Sequence, residues 1–125
     1  MNVVDSSAWL EYFANGPNAS FFTSPIEDVE GLIVPSVAIY EVFKRVLQQR
    51  DEGQALQAVA TMQQGMVVSL DERIALNAAR VSVDLKIPMA DSIVLATARA
   101  HGAIVWTQDE DFKDLPNVQY RRRKA

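Results

Sequence analysis

The amino-acid sequence opens with Met1-Asn2-Val3-Val4-Asp5, a short apolar run that ends at an acidic residue. Such a run, closed by a charged group, predicts a short buried strand over residues 1–4. A helical pattern follows over residues 7–14, and Ser6 or Ser7 is available as its N-cap. The chain therefore begins with a strand that leads directly into a helix, and Asp5 lies at the carboxyl end of that strand.

The same alternation of short apolar runs and helical patterns continues through the chain. Ser36 and Asp71 are expected to cap helices, and Pro88 is expected to begin the last one. Residues 15–30 contain two turn clusters and few helix signals, so the sequence leaves their local structure open. Further strands are predicted at 31–34, 66–70 and 103–106, with an edge strand at 118–120, and further helices at 36–50, 54–64, 72–85 and 88–100.

Strands that alternate with helices through short connections predict an α/β sandwich built around a mostly parallel sheet. In open sheets of this kind, ligands bind beyond the carboxyl ends of the strands. Functional residues are therefore to be sought at those ends.

The composition is that of an ordinary globular domain. A chain of 125 residues, 49% of them apolar, can bury a core as one domain. Because it has no cysteine, disulfides, thiol nucleophiles and cysteine-built zinc sites are excluded. No apolar run approaches the length of a membrane span, and residues 1–5 lack the features of a signal peptide. We therefore expect a cytoplasmic protein with no membrane partner.

The formal net charge of -4 argues against a nucleic-acid partner, because proteins that bind nucleic acids usually present a basic surface. A nuclease built on carboxylates is nevertheless locally acidic, and a bound divalent cation reverses the sign of the charge at its site. The net charge thus weakens an RNA-binding interpretation without deciding the question.

Four acidic residues have unusual surroundings. Asp5 and Asp109 follow the predicted strands at 1–4 and 103–106, whereas Glu41 and Asp91 lie within apolar helical segments. A helix that is apolar on all sides is buried, and a buried acid needs a partner or a metal. The joint placement predicts an acidic, metal-binding site, although each acid has an ordinary explanation of its own.

For the aspartates, these explanations are structural. Asp5 could be the N-cap of the first helix, and Asp109 could cap a turn through residues 110–112. Asp91, in the first turn of its helix, would complement the helix dipole. Taken singly, these interpretations are as good as a metal site or better.

Glu41 has two basic neighbours on its helical face, Lys44 and Arg45. Residues three and four positions apart contact each other on a helix, so these cations could pair with Glu41. They could equally hold RNA phosphates near the acidic site. The sequence leaves both alternatives open.

Four motifs in order resemble the PIN domain family, and more narrowly its VapC toxin branch. They are Val3-Val4-Asp5-Ser6-Ser7-Ala8-Trp9, Val34-Pro35-Ser36 with Glu41, Ala90-Asp91-Ser92-Ile93-Val94-Leu95-Ala96-Thr97-Ala98, and Trp106-Thr107-Gln108-Asp109-Glu110-Asp111-Phe112. Each motif is weak alone, and the four together are specific. The resemblance spans residues 1–120 as a single PIN-like domain and leaves 121–125 as a basic tail.

The resemblance implies a three-layer α/β/α sandwich, usually dimeric, that acts as a metal-dependent endoribonuclease on RNA. Its site would consist of Asp5, Glu41, Asp91 and Asp109 around Mg²⁺ or Mn²⁺. It also implies a partner, the cognate antitoxin protein of a toxin–antitoxin pair. Residues in supporting positions would be Ser6 and Thr107, while Asp111 is either a further supporting acid or a solvated loop residue.

Other functions fit the residues less well. A receiver-type phosphoacceptor domain needs paired acids after its first strand, and Asp5 is followed by two serines. A PIN-like interaction module without activity remains the main alternative, although all four acids are present. The single histidine, His101, precedes Gly102 at a helix end and is expected to interact with the helix C-terminus.

Two further features have alternative interpretations. Trp9, Tyr12 and Phe13 recur at helical spacing, which favours core packing but would also suit a groove for an antitoxin segment. The tail 121–125 is expected to be a solvated segment, with RNA binding as the alternative.

Overall fold

The computed structural model describes residues 1–124, and within them five strands form one sheet. The strands are β1 (Asn2–Val4), β2 (Leu32–Pro35), β3 (Met66–Val68), β4 (Ile104–Thr107) and β5 (Val118–Tyr120). Their order is β3-β2-β1-β4-β5, and every neighbouring pair is parallel. The predicted α/β architecture is confirmed, and the sheet is entirely parallel where a mostly parallel one was expected.

Helices cover both faces of this sheet, so the molecule has the three layers that the resemblance implied. On β1, the side chain of Val3 belongs to the core cluster on one face and that of Val4 to the cluster on the other, as the alternation of a strand requires. The first four helices pack on the Val4 face and the last two on the Val3 face. The helices are α1 (Ser6–Phe13), α2 (Ala19–Glu27), α3 (Ser36–Gln49), α4 (Glu52–Met62), α5 (Glu72–Leu85) and α6 (Met89–Ala100).

Helix α2 lies in the segment that the sequence left open. Pro25 is inside this helix, and Phe22 and Ile26 are buried against the Val4 face of the sheet. A proline in a helix interior removes one backbone hydrogen bond and disfavours helix in isolation. Tertiary burial of the apolar side chains overrides this local signal, which is why the helix could not be predicted.

The helix caps decide between the alternatives that the sequence left open. Asp5, and neither Ser6 nor Ser7, is the N-cap of α1, because its carboxylate accepts a hydrogen bond from the Ala8 N–H at 3.2 Å. Ser36 is the first residue of α3 and does not cap it. Asp71 caps α5 as predicted and accepts from the Ile74 N–H at 2.8 Å.

Helix α6 is the buried helix that its composition predicted. Its residues from Ser92 to Ala98 are all buried, because the helix packs between α5 and the sheet. Asp91 stands in the first turn of this helix and is only partly buried. The helix therefore projects one carboxylate from an otherwise apolar element toward the edge of the sheet.

The aromatic stripe of α1 is mainly core. Trp9 is fully buried, and its ring stacks on that of Phe13 with centroids 5.6 Å apart. Tyr12 and Phe13 are partly buried against the same core cluster. Core packing, the favoured interpretation of this stripe, is therefore correct for Trp9.

The basic segment that follows β5 is attached to the fold at its start. The Arg121 N–H donates to the Thr107 carbonyl at 3.0 Å, and its guanidinium lies 4.2 Å from the centroid of the Phe21 ring. The carbonyl of Arg122 accepts from the Asn18 side chain at 3.0 Å. Ala125, the end of the predicted tail, lies outside the described residues.

Candidate metal centre

The strand order places two of the predicted acids side by side. From β1 the chain builds β2 and β3 on one side, while β4 and β5 lie on the other side of β1. The order therefore reverses between β1 and β4, and such a switch point leaves a crevice at the carboxyl ends of the strands. Asp5 directly follows β1, and Asp109 lies two residues beyond β4.

The first turn of α6 brings a third acid to the same place. Carboxylate oxygens of Asp5, Asp91 and Asp109 all lie within 4.8 Å of one another. Hard divalent cations such as Mg²⁺ prefer oxygen ligands and commonly bind through one or two carboxylates together with water. The three carboxylates therefore have the chemistry and spacing to hold such an ion.

Asp5 is the most firmly held of the three. Besides the Ala8 N–H, its carboxylate accepts hydrogen bonds from the hydroxyl of Ser7 at 2.7 Å and from that of Thr107 at 2.9 Å. The residue is 2% exposed. Its capping role and its place in the cluster are thus compatible, because different lone pairs of the carboxylate serve the two.

Thr107 links Asp5 to Asp109. While its hydroxyl donates to Asp5, the same oxygen accepts from the Asp109 N–H at 2.9 Å. The Asp109 carboxylate in turn accepts from the Asp111 N–H at 2.9 Å and caps the short 3₁₀ turn Glu110–Phe112. Thr107 therefore fixes the spacing between two carboxylates that are more than 100 residues apart in sequence.

Burial changes the protonation of Asp5. Its pKa rises to about 6, chiefly because burial disfavours the charged form, with a smaller contribution from repulsion by Asp109. The hydrogen bonds from Ser7, Thr107 and Ala8 act in the opposite direction, because they stabilise the carboxylate.

Asp91 is perturbed more strongly. Burial, a hydrogen bond with the Asp111 side chain and repulsion from Asp109, Asp5 and Asp111 raise its pKa to about 8. Without a cation, this carboxyl therefore holds a proton near neutral pH. Crowded carboxylates that share protons in this way are relieved when a cation binds among them, so the residues fit a divalent metal.

Glu41 does not belong to this group of three. Its carboxylate accepts a hydrogen bond from the Ser6 hydroxyl at 2.9 Å, and it is partly buried on α3. Because Ser6 directly follows Asp5 at the start of α1, this hydrogen bond places Glu41 near the cluster. The fourth predicted acid is thus brought toward the site without joining the trio.

The two basic residues that the sequence placed near the site lie outside the group of three aspartates. Both Lys44 and Arg45 are exposed on α3. The Lys44 ammonium lies 5.7 Å from the centroid of the Tyr40 ring. Arg45 borders a groove between α1, α3 and α4 that also reaches Ser7.

Sequence reasoning missed two side chains that brace the site. Gln108 is buried, donates through its side chain to the Ser7 carbonyl at 3.4 Å, and accepts from Asn18 at 3.0 Å. Asn18 is also buried, and its backbone N–H donates to Glu11 at 2.7 Å. Since these partners are up to 101 residues apart, no local pattern could have identified them.

His101 is excluded from the cluster by its position. It follows α6 at the end opposite to Asp91, and its Nδ1 lies 2.9 Å from the Thr97 carbonyl. This is the helix C-terminal interaction that its sequence position predicted.

The family model of the PIN domain matches residues 3–118, almost the entire chain. The chain belongs to the PIN domain family. Compared by sequence with curated proteins, it has no significant match. Across residues 1–124, the helices include none with the length and apolar character needed to span a membrane.

Solved structures share this fold at low sequence identity. One is a toxin–antitoxin complex from Klebsiella pneumoniae, with a TM-score of 0.80, 18% identity, and 95% of this chain and 96% of that chain covered. A second is VapC20 from Mycobacterium tuberculosis, described as a toxin that cleaves the sarcin-ricin loop, with a TM-score of 0.75, 15% identity, and coverage of 90% and 92%. A third is VapBC2 from Rickettsia felis bound to a promoter DNA fragment, with a TM-score of 0.74, 12% identity, and coverage of 97% of both chains.

Proposed function

We propose that this protein is a metal-dependent endoribonuclease that hydrolyses RNA phosphodiester bonds, and that it is the toxin of a toxin–antitoxin pair. The observation that carries the proposal is the meeting of Asp5, Asp91 and Asp109 within 4.8 Å at the sheet's switch point. Two structures with the same fold support the biological role, because one is named a toxin–antitoxin complex and another a toxin. The sarcin-ricin loop named for one of them supports RNA as the substrate.

In this proposal, Asp5, Asp91 and Asp109 hold Mg²⁺ or Mn²⁺. The bound ion would supply an acidified water and neutralise charge that develops on the phosphate oxygens. Thr107 and Ser7 keep the Asp5 carboxylate in place through their hydroxyls. Both metals suit a carboxylate donor set, so the cleavage assay compares the two.

Glu41 has a distinct role in this proposal. The Ser6 hydroxyl donates to the Glu41 Oε1 and so orients the carboxylate, and within residues 1–124 no hydrogen bond to Oε2 is seen. In this step Oε2 would accept a proton from the attacking water as the new bond to phosphorus forms, and a solvent water would donate a proton to the leaving ribose oxygen as its bond to phosphorus breaks. Ser6 is thus a positioning residue for the general base.

The assembly and boundaries follow the same interpretation. Residues 1–120 form the PIN domain, and 121–125 a basic C-terminal tail whose first two residues are attached to it. The functional form is a homodimer in the cytoplasm, held inactive by its antitoxin. Lys44 and Arg45, exposed on the helix that carries Glu41, contact RNA phosphates.

The test is cleavage of a structured RNA pool by the purified, partner-free protein with Mn²⁺ or Mg²⁺ and then with EDTA. We expect cleavage that requires the metal and is lost in the Asp5→Asn variant. Asp71→Asn is the matched control, because Asp71 is also an N-cap aspartate and the substitution removes the same charge away from the site.

Three results would contradict the proposal: cleavage that persists in EDTA, cleavage that persists in Asp5→Asn, or folded protein that binds metal yet leaves the whole pool intact. The last result would favour an interaction module. Calorimetric titration with Mn²⁺ distinguishes it from a misassigned site, which would bind no metal.

A further inference from the structure

A groove beside the acidic cluster has a charge opposite to that of the protein as a whole. It lies between α1, α3 and α4 and has a volume of about 550 Å³. Among the described residues that line it, Arg45, Arg50 and Arg123 are basic, and Glu11 alone is acidic. The Glu11 carboxylate already accepts the Asn18 N–H. Against a net charge of -4 for the chain, this is a local concentration of positive charge.

The groove adjoins the site, because a second cavity that contains Asp109 shares Gln108 and Arg123 with it. Its lining includes Ser7, which donates to Asp5, and Gln108, which directly precedes Asp109. A strand that lies in the groove would therefore reach the three aspartates at one end. The Asn18 side chain holds the Arg122 carbonyl and so keeps the neighbouring Arg123 beside the groove.

The remaining lining is suited to nucleotides. Several glutamine amides, which both donate and accept hydrogen bonds, face the groove beside the ring of Phe13. Guanidinium groups bind phosphate oxygens in pairs, and aromatic rings stack on bases in single-stranded nucleic acids. Ligand-binding clefts and cavities typically measure about 300 to 1,000 Å³, so the groove has room for a short stretch of single strand.

We propose that this groove binds the single-stranded RNA segment flanking the scissile phosphate, with Arg45, Arg50 and Arg123 on its phosphates. The inference rests on the proposed ribonuclease function and adds to it the path of the substrate. It moves the main RNA contact from Lys44, which lies against Tyr40, to the groove side of α3 and to the segment after β5. It also requires unpaired RNA where the strand enters the site.

The experiment measures binding separately from cleavage. A fluorescently labelled single-stranded RNA oligonucleotide is titrated with EDTA-treated full-length protein, and intact RNA is verified on a gel. We expect Arg45→Gln/Arg50→Gln to weaken binding about tenfold or more, because the variant loses charge-assisted hydrogen bonds to phosphate oxygens. The slope of log affinity against log salt should become shallower by about 0.7 for each lost phosphate contact.

The matched control is Arg73→Gln/Arg80→Gln. Both arginines are exposed on α5, on the opposite face of the sheet, so this variant loses the same charge away from the groove. Equal affinity and salt slope in the two double variants would overturn the groove assignment. The assignment would also be overturned if a hairpin duplex bound more tightly than the single strand. It would likewise be overturned if the groove substitutions weakened binding of an acidic peptide and left RNA binding unchanged.

These outcomes are distinct from failure of the proposed function. If the wild type cuts RNA with metal and Asp5→Asn does not, the proposed ribonuclease function is supported, whatever the groove variants show. If the groove variants bind RNA weakly, their cleavage at subsaturating RNA should fall in parallel, while the Mn²⁺ affinity of the site stays unchanged.

Discussion

Asp5 and Asp91 have carboxylates in the same cluster, yet their surroundings differ. Asp5 is more deeply buried and accepts hydrogen bonds from Ser7, Ala8 and Thr107, whereas Asp91 lies on a helix end beside two other acids. The pKa of Asp5 rises to about 6 and that of Asp91 to about 8. The less buried acid is the more perturbed one. Burial is the largest cause of the pKa shift in both residues, but hydrogen-bond donors stabilise the charge of Asp5, whereas the Asp111 side chain and neighbouring negative charges oppose that of Asp91.

This difference suggests separate roles for the two residues. The Asp5 carboxylate is already oriented by hydrogen-bond donors to both of its oxygens, so it can bind a cation without rearranging. Asp91 gains most from a cation, since the ion replaces repulsion from the other aspartates with attraction.

Substitution of Asp91 should have the largest effect on metal binding. Changing residues that merely support metal ligands commonly costs about 10- to 100-fold in affinity or activity, so Asp91→Asn should lower Mn²⁺ affinity and cleavage by about 100-fold or more. Calorimetric titration and an RNA cleavage assay measure the two. Asp111→Asn, next to the trio but outside it, is the comparison variant. Equal losses in both variants would remove the special role of Asp91.

The stability of the metal-free protein should depend on pH through both carboxyls. Because their pKa values are higher in the folded protein than the ordinary 3.8, the folded state binds more protons than the unfolded state between about pH 4 and pH 8. Their contribution to stability is therefore greatest below about pH 4 and declines as pH rises through the folded pKa values.

Thermal unfolding in EDTA from pH 5 to pH 9 measures this contribution. The Tm of Asp5→Asn minus that of the wild type should increase across this range, by several degrees in total, because a shift of one pKa unit corresponds to about 1.4 kcal/mol. Saturating Mn²⁺ should raise the Tm of the wild type but not that of the variant. A Tm difference that stays constant with pH would show that the Asp5 carboxyl is not perturbed.

Removing one hydrogen bond to the Asp5 carboxylate should have the smallest effect on metal binding. Thr107→Val removes the hydroxyl that donates to Asp5 and accepts from Asp109, so the pKa of Asp5 should rise further. The pH at which Mn²⁺ binding is half-maximal should then move upward by up to about one unit, the equivalent of one ordinary hydrogen bond. Thr107→Ser keeps the hydroxyl and should keep the wild-type midpoint. A shift in the serine variant as well would assign the effect to packing.

Elements with strong local signals were predicted well from the sequence. Helix α5 was predicted with its N-cap, Asp71, and its last residue, Leu85, because capping and periodicity act within a few residues. The strands were found within two residues of their ends for the same reason. Helix α2, with Pro25 in its interior, was not predicted, because its stability comes from burying Phe22 and Ile26.

The candidate site, like the fold, was predicted in part from the sequence. The sequence pointed to Asp5, Asp91 and Asp109, which the fold brings together, and it grouped Glu41 with them, which the structure places next to Ser6 instead. The bracing contacts of Gln108 with Ser7 and Asn18 were missed. These contacts depend on which loops meet in space, so the motif that contains Gln108 did not reveal its partners.

By itself, the sequence determined the alternation of strands and helices and the position of an aspartate at the end of β1 and after β4, because apolar periodicity and strand ends are local properties. Only the tertiary structure decided that β1 and β4 are neighbours, that α6 directs Asp91 toward them, and that an arginine-lined groove adjoins the cluster. It also decided the pKa values of Asp5 and Asp91. Burial and Coulomb interactions act between residues that are close in space, whatever their separation along the chain.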